Sequence, residues 1–131
     1  MVIDTSAVLA VLLAEEDAQH FARQIEEAVA CRMSAVNYLE AALVIDNRGD
    51  AVASREFDRF FRRSGIVIEP VTLEQAQIAR QAYRDYGKGR HPAGLNFGDC
   101  LAYALAKAAD EPLLFKDGDF RQTDVEAAAS E

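Results

Sequence analysis

The chain alternates short apolar segments typical of β-strands with longer segments typical of helices, and this alternation constrains its fold more than any other feature. The clearest strand is Ile66–Ile68, three β-branched residues bounded by Gly65 and Pro70. Further strands are predicted at residues 2–3, 32–33, 113–115 and 123–125. This alternation predicts an α/β fold of three layers, in which helices cover both faces of a short central parallel sheet.

Helices are predicted between these strands from the spacing of apolar residues and from residues that favour helix ends. In the segment from Glu15 to Ala30, Phe21, Ile25 and Val29 recur every four residues. Other helices are predicted at residues 7–14, 35–48, 51–63, 73–86 and 97–110, with capping residues that include Ser34, Thr72 and Asn96. Because no repeat, low-complexity tract or linker interrupts the chain, residues 1–131 are predicted to form one domain.

The composition bounds the environment in which the chain works. Cys31 and Cys100 have neither a disulfide-framework spacing nor a zinc-ligand spacing, and no apolar run approaches the roughly 18 residues of a membrane span. The N-terminal segment has no basic leader, so we expect a cytoplasmic protein that makes no membrane contact. A net charge of −8 disfavours binding to nucleic acid unless metal ions at clustered carboxylates reverse the local charge.

Acidic residues follow two of the strands that are predicted to be buried. Asp4 comes directly after the first strand, Asp117 lies just past the strand at residues 113–115, and Asp119 is two residues further on. In an open parallel sheet, sites form beyond the carboxyl ends of the strands, so these carboxylates are expected near one another. Each residue alone would also fit an ordinary role, Asp4 as a helix cap and the later two as turn residues.

Glu40 lies among apolar residues in the predicted helix at residues 35–48. Its neighbours one turn away are Val36 on one side and Leu43 and Val44 on the other, which predicts a carboxylate within or beside the packing face. An unpaired charge is costly there, and no lysine or arginine lies within one turn on this helix. Unless the side chain extends to solvent, its partner is a residue from another segment or a metal ion.

Asp99 lies in the first turn of a predicted helix, three residues after the cap Asn96. An acid at this position interacts favourably with the helix dipole and completes a capping arrangement, which is a sufficient structural reason for it. The start of this helix is also predicted to lie beside the strand ends, so the same carboxylate would face the crevice that Asp4 faces.

The acids favour one kind of metal chemistry. Hard divalent cations such as Mg²⁺ prefer oxygen ligands, and carboxylates from distant parts of a chain are their usual protein ligands. The spacing of a zinc site is absent from the remaining candidate ligands, His20, His91, Cys31 and Cys100. The sequence therefore indicates Mg²⁺ or Mn²⁺ chemistry, which activates water and stabilises charge on a phosphodiester.

Four segments of the chain resemble, in order and spacing, the acidic motifs of the PIN-domain family. The first contains Asp4, the second Glu40 and the third, which is the strongest match, Asp99. The four segments are Val2–Ala7, Asn37–Leu43, Asn96–Ala106 and Leu113–Phe120. They extend over nearly the whole chain, which, in its length and in its start on the first acidic strand, is similar to the VapC toxins of bacterial toxin–antitoxin pairs.

This resemblance implies a PIN-like three-layer fold and a Mg²⁺- or Mn²⁺-dependent endoribonuclease. It implies a metal site of four acids, namely Asp4, Glu40, Asp99 and Asp117, with Asp119 as the alternative fourth acid. Ser6 corresponds to a small hydroxyl residue that supports the site, and we expect the cap Asn96 to support Asp99. The resemblance also implies a homodimer and a cognate VapB-type antitoxin that blocks the acidic site.

Basic residues accumulate just before Asp99 and are the predicted contacts to the RNA substrate. They lie on a helix and in the loop after it, whose three glycines would let backbone amides approach a phosphate. These predicted contacts are Arg80, Arg84, Lys88, Arg90 and His91. A solvated helix face followed by a mobile loop would produce the same pattern.

Other classes of protein fit the sequence less well. A haloacid-type phosphatase needs an Asp-x-Asp after its first strand, and Ser6 stands where the second acid would be. A receiver domain needs a pair of acids beside its first strand, and no such pair adjoins the first strand of this sequence. The alternative that stays open is a catalytically silent PIN-like module, which would bind RNA or a protein without cutting it.

Overall fold

In the part of the chain that the structure describes, four short parallel strands form the centre and six α-helices surround them. The computed structural model describes residues 1–116 and 118–128. In chain order the elements are β1 (Val2–Ile3), α1 (Thr5–Leu12), α2 (Ala18–Glu27), β2 (Arg32–Ser34), α3 (Ala35–Asp46), α4 (Ala51–Ser64), β3 (Val67–Glu69), α5 (Leu73–Tyr86), α6 (Phe97–Ala109) and β4 (Leu113–Leu114), followed by a 3₁₀ turn (Gly118–Gln122). Among these residues, no helix has the length and apolar character needed to cross a membrane.

The sheet has the strand order β3-β2-β1-β4, and every pair is parallel. β1 lies between β2 and β4, with Val2 opposite both Arg32 and Leu113. The predicted strand at residues 123–125 is wrong. Residues 123–125 form a bend in which the backbone N–H of Val125 donates to Thr123 Oγ1, and the isolated parallel bridge to Leu113 comes two residues later, at Ala127.

Successive strand residues point to opposite faces of the sheet, and each face carries its own apolar core. Val2 and Leu113 pack with residues of α5 and α6, whereas Ile3, Met33 and Leu114 pack with residues of α1 to α4. The predicted α/β architecture of three layers with a short central parallel sheet is therefore confirmed.

Side chains cap five of the described helices, at Asp4, Ser34, Asp50, Thr72 and Asn96. These caps fix where the helices begin. The predicted extent of α2 is wrong at its end. The helix stops at Glu27, because Ala28 adopts extended backbone angles that lead the chain towards β2, and Val29 is fully exposed.

Candidate functional site

Asp4 lies at the carboxyl end of β1, where it caps α1 and is only 4% exposed. Ser6 donates to Asp4 Oδ2 twice, from its backbone N–H at 3.0 Å and from its hydroxyl at 2.6 Å. The Ser6 hydroxyl in turn accepts a hydrogen bond of 3.0 Å from the backbone N–H of Lys116, the second residue after β4. Ser6 thus connects the Asp4 carboxylate to the end of the neighbouring strand.

The environment of Asp4 disfavours its charged form. Burial raises the pKa of this carboxyl from 3.8 to about 7, the hydrogen bonds from Ser6 oppose that rise, and the charges of Asp99 and Glu40 add to it. None of the ion pairs formed by the described residues includes Asp4. A buried carboxylate near two further acids, in no ion pair of the described residues, is a place where a bound cation would relieve an electrostatic penalty.

Glu40 is half-buried, and donors from two helices hold one of its carboxylate oxygens. Glu40 Oε1 accepts from Thr5 Oγ1 at 2.9 Å and from Asn37 Nδ2 at 3.0 Å. Of the two predicted positions, within or beside the packing face, the structure shows the second, and Leu43 and Val44 are 51% and 42% exposed. The buried face of α3 consists of Asn37, Ala41 and Ile45, so Glu40 lies at the edge of that face rather than within it.

Asp99 is half-buried in the first turn of α6, and the predicted capping arrangement with Asn96 is confirmed. The backbone N–H of Asn96 donates to Asp99 Oδ2 at 3.0 Å, while the backbone N–H of Asp99 donates to Asn96 Oδ1 at 2.9 Å. Asn37 Nδ2 donates to the backbone carbonyl of Gly98 at 3.0 Å, which attaches α3 to the start of α6. The charge of Asp99 acts on Asp4, so the three acids share one end of the sheet.

Asn37 is a residue of this region that the sequence did not single out. Its side chain is fully buried, and its amide donates both to Glu40 and to Gly98. One signal for it is present in the sequence, since a polar residue four before Ala41 and eight before Ile45 shares their helix face. Without knowledge that this face is the buried one, that signal could not be used.

The two candidates for the fourth acid have different standing. Asp117 lies outside the described residues, so its proposed role stays a prediction. Asp119 is exposed on the 3₁₀ turn, where the buried residue is Phe120. The choice between the two acids therefore still depends on their spacing from β4.

The donor set fits a hard divalent cation. Within residues 1–116 and 118–128, no three acidic, histidine or cysteine side chains approach closely enough to ligate one ion together. Mg²⁺ keeps several of its waters and takes only one or two carboxylates directly, so a looser group of acids suits it. The side chains of Ser6, Glu40 and Asp99, which act on Asp4, all offer oxygen, the ligand atom that Mg²⁺ and Mn²⁺ prefer.

Four of the five predicted RNA contacts line one open groove of about 990 Å³ between α5 and the start of α6, and we call it the basic groove. Its cationic side chains are Arg80, Arg84, Lys88 and Arg90, and its wall includes Asn96 and Phe97, close in sequence to Asp99. His91 does not line it. The His91 ring is half-buried, accepts a hydrogen bond of 3.0 Å from the Ala93 backbone N–H, and packs edge-on against Tyr86.

Comparison with protein families and with relatives gives consistent matches. A family model described as "PIN domain" matches residues 1–126. Ribonuclease VapC28 of Mycobacterium tuberculosis is 50% identical over 129 residues, which cover 98% of this chain and 97% of the relative. Ribonuclease VapC of Mycolicibacterium smegmatis is 49% identical over 127 residues, which cover 97% of this chain and 98% of the relative.

Solved structures of low sequence identity share the fold. The crystal structure of Mycobacterium tuberculosis VapC20, described as a sarcin–ricin loop cleaving toxin, matches with a TM-score of 0.77 and 16% identity over 97% of both chains. A toxin–antitoxin complex from Klebsiella pneumoniae matches with a TM-score of 0.72 and 13% identity, over 97% of this chain and 95% of the other. At such identities the likeness concerns the architecture alone.

Proposed function

The chain belongs to the PIN-domain family, and on this premise we propose that it is a divalent-metal-dependent endoribonuclease, the toxin of a VapBC-type toxin–antitoxin pair. Relatives named VapC ribonucleases match it at 50% and 49% identity over nearly its full length. The observation that carries the proposal is the buried Asp4 carboxylate, which is surrounded by the charges of Glu40 and Asp99 and forms no ion pair within the described part of the chain.

We infer that Asp4, Glu40 and Asp99 hold Mg²⁺ or Mn²⁺, with Asp117 as the favoured fourth acid and Asp119 as its alternative. What a divalent cation supplies at such a site is activation of water and stabilisation of charge on the scissile phosphodiester. Support comes from the donor atoms, which are all carboxylate oxygens, and from the shared location of the three described acids at one end of the sheet.

The residues around these acids would keep the carboxylates in place for the reaction. Both hydrogen bonds from Ser6 go to Asp4 Oδ2, which leaves Oδ1 for a cation. Asn96 orients Asp99, because its backbone N–H donates to Oδ2 of that carboxylate. Carboxylates that are already oriented need less rearrangement when charge develops on the substrate, which is how such a site lowers the barrier.

We propose that single-stranded RNA enters along the basic groove. Arg80, Arg84, Lys88 and Arg90 would neutralise phosphates, and Phe97, whose side chain is 72% exposed, would offer an aromatic face to a base. Arg90 already lies over the ring of Tyr83, with its guanidinium carbon 5.7 Å from the ring centroid. Aromatic faces interleaved with cations are the usual means of binding unpaired nucleic acid.

We propose two protein partners, a second copy of the chain and a cognate VapB-type antitoxin. The proposed homodimer is supported by α3, whose Leu39, Leu43 and Val44 are 55%, 51% and 42% exposed, because contiguous exposed apolar side chains favour protein contact. An antitoxin that neutralises this site would place a cationic side chain beside Asp4, which forms no ion pair with the described residues. Light scattering on the isolated chain tests the homodimer, and a monomer at micromolar concentration would count against it.

Cleavage of RNA tests the proposed activity directly. We would incubate the purified chain, freed of any antitoxin, with total bacterial RNA in Mg²⁺ or Mn²⁺, alone and with EDTA. Asp4→Asn keeps the size of the side chain while it removes one carboxylate, and Asp58→Asn on the exposed surface of α4 is the matched control. We expect discrete products from the wild-type chain and the control, and none with EDTA or with Asp4→Asn.

Two other outcomes would change the conclusion. RNA binding without cleavage, in any of the metals and by folded protein, would favour the catalytically silent PIN-like module. Cleavage that survives both EDTA and Asp4→Asn would indicate a different chemistry or a contaminating nuclease, and the site proposed here would then be wrong.

A further inference from the structure

The Glu40 carboxylate is enclosed on both of its oxygens by parts of three helices. Oε1 accepts from Thr5 Oγ1 on α1 and from Asn37 Nδ2 on α3. Oε2 lies directly against Gly98, in the first turn of α6. A glutamate on a half-buried helix position has three rotatable bonds, so this enclosure selects one of many positions for its charge.

Asn37 is poorly explained by packing alone. Its side chain is fully buried, and both of its donor bonds, to Glu40 and to the Gly98 carbonyl, use Nδ2. Asn37 Oδ1 is buried without a hydrogen-bond partner in the described part of the chain, which is unfavourable. An apolar residue of similar size would avoid that penalty, so the reason for an amide here lies in what Nδ2 holds.

The backbone conformation at position 98 does not explain why the residue there is glycine. Glycine lowers the stability of a helix relative to alanine, and the φ of Gly98 is not among the positive values of the described residues. Alanine would therefore suit this backbone. A Cβ at position 98, however, would lie within 2.5 Å of the three atoms of the Glu40 carboxyl group, which are its nearest neighbours. Glu40 in its present position and any side chain at 98 exclude each other.

We propose that Asn37 and Gly98 are positioning residues for Glu40, in which Asn37 fixes one carboxylate oxygen and the missing side chain at position 98 leaves room for the other. The inference rests on the proposed function only in that Glu40 serves a bound cation there. Because the Glu40 carboxylate is at the end of a flexible side chain, a methyl group at position 98 displaces the carboxylate rather than the helix. Gly98→Ala therefore yields a folded protein whose Glu40 no longer reaches the site.

Mn²⁺ binding tests this role without any need for RNA. The free Mn²⁺ signal in electron paramagnetic resonance would be titrated with the wild-type chain, Asn37→Leu, Gly98→Ala, Glu40→Ala and the two double variants that combine each change with Glu40→Ala. Asn47→Leu, at the exposed end of α3, is the matched control for the asparagine. Urea unfolding of every variant identifies any that fail to fold.

We expect Asn37→Leu and Gly98→Ala each to weaken Mn²⁺ binding by about 10- to 100-fold, the usual effect of residues that orient a metal ligand. In the Glu40→Ala background the same changes should weaken it no further, since they act through the carboxylate that is already absent. Gly98→Ala alone decides the matter if Asn37→Leu does not fold.

Three results would overturn the inference. The first is an unchanged Mn²⁺ affinity in Asn37→Leu and Gly98→Ala, and the second is an unchanged Mn²⁺ affinity in Glu40→Ala. The third is that these two substitutions weaken Mn²⁺ binding equally in the wild-type and Glu40→Ala backgrounds. Failure of the proposed function is a separate result, since a wild-type chain that cuts no RNA can still show the expected pattern of Mn²⁺ binding. In that case the positioning role would stand and the nuclease would not.

Discussion

Carboxylates at the two ends of the central sheet differ in whether cationic groups pair with them. Where β1, β2 and β4 begin, Glu111 contacts the N-terminal ammonium at 2.8 Å and Arg32 at 3.1 Å. Arg32 also contacts Glu69, the last residue of β3, at 2.6 Å. Where β1 ends, Asp4 receives hydrogen bonds from Ser6 but no ion pair from the described residues, and two more acids act on it. We call these the paired end and the acid end.

The difference is visible in the direction of the pKa shifts. At the paired end, burial raises the pKa of Glu111, but hydrogen bonds from the N-terminal ammonium and from Arg32 outweigh burial and lower it. At the acid end, burial dominates and raises the pKa of Asp4 to about 7. The same small fold thus neutralises Glu111 at one edge, whereas at the other it buries Asp4 without an ion pair from the described residues. A charge buried at such a cost is expected where a protein sacrifices stability to keep a site.

The largest expected effect is that a substitution at the acid end abolishes activity, whereas a substitution at the paired end changes only stability. Asp4→Asn should reduce metal-dependent RNA cleavage to the level of the EDTA control, whereas Glu111→Gln should leave the cleavage rate unchanged. Glu111→Gln should instead lower the free energy of unfolding by about 1 kcal/mol, the usual scale for a partly exposed ion pair. Initial cleavage rates and urea unfolding measure the two effects.

The comparison between the two ends would fail if Glu111→Gln also abolished cleavage in folded protein. That result would make the paired end part of the catalytic arrangement, or would show that the two edges of the sheet are coupled through β1.

The next largest effect is a pH dependence of opposite sign at the two ends. The folded chain keeps the Asp4 proton up to about pH 7, whereas the unfolded chain releases it near the ordinary pKa of 3.8. Between these values the folded state binds more protons, so its free energy of unfolding falls as pH rises, by at most about 4 kcal/mol from Asp4. The lowered pKa of Glu111 has the reverse consequence, since the stability it contributes is lost as pH falls below its ordinary pKa of 4.5.

Urea unfolding in EDTA at pH 5 and pH 8 measures both signs. Asp4→Asn should be more stable than the wild-type chain at pH 8, and the difference should shrink at pH 5. Glu111→Gln should be less stable than the wild-type chain at both pH values, with the deficit shrinking only on further acidification. If the wild-type chain and Asp4→Asn unfold at the same urea concentration at pH 8, ionisation of Asp4 does not destabilise the folded state, and the prediction is wrong.

A smaller effect is expected from divalent cations. Mn²⁺ at about 100 times its Kd should stabilise the wild-type chain by about 2.7 kcal/mol, and hence raise Tm by several degrees. Asp4→Asn should lose most of that gain, while Glu111→Gln should keep it, because only the acid end takes the ion. Thermal melts with and without Mn²⁺ test this, and an equal gain in all three proteins would place the binding elsewhere.

The architecture was predictable because local patterns specify it. Gly65 and Pro70 bound the β-branched run that becomes β3, and Asn96 and Asp99 form the capping box that starts α6. The parallel sheet with helices on both faces followed from the alternation of elements, whereas the strand order β3-β2-β1-β4 was not predicted. The wrong predictions concern the ends of elements. At Val29, for example, the helical spacing of the sequence continues, but the backbone has already left the helix.

The candidate site was predictable only as a set of acids. Sequence spacing indicated Asp4, Glu40 and Asp99, because each stands at a strand end or a helix start or among apolar residues. It did not indicate Asn37 or Gly98, whose roles depend on contact between α3 and α6 across about 60 residues of chain. Such contacts are tertiary, and periodicity within one helix carries no information about which residue of another helix meets it.

The smallest expected effect concerns the cations beside the acid end. Arg32 at the paired end is held by two carboxylates, whereas Arg80 and Arg84 in the basic groove form no ion pair among the described residues. Arg84→Ala should therefore raise KM by a few fold with little change in kcat, and the dependence of log binding affinity on log salt should become shallower by about 0.7, the value of one phosphate contact to a single strand. Arg62→Ala, on the exposed surface of α4, is the matched control.

An unchanged salt dependence in Arg84→Ala would mean that the groove is an ordinary solvated face. The contrast between the two ends would then rest on the acids alone, and the substrate would have to approach them by another route.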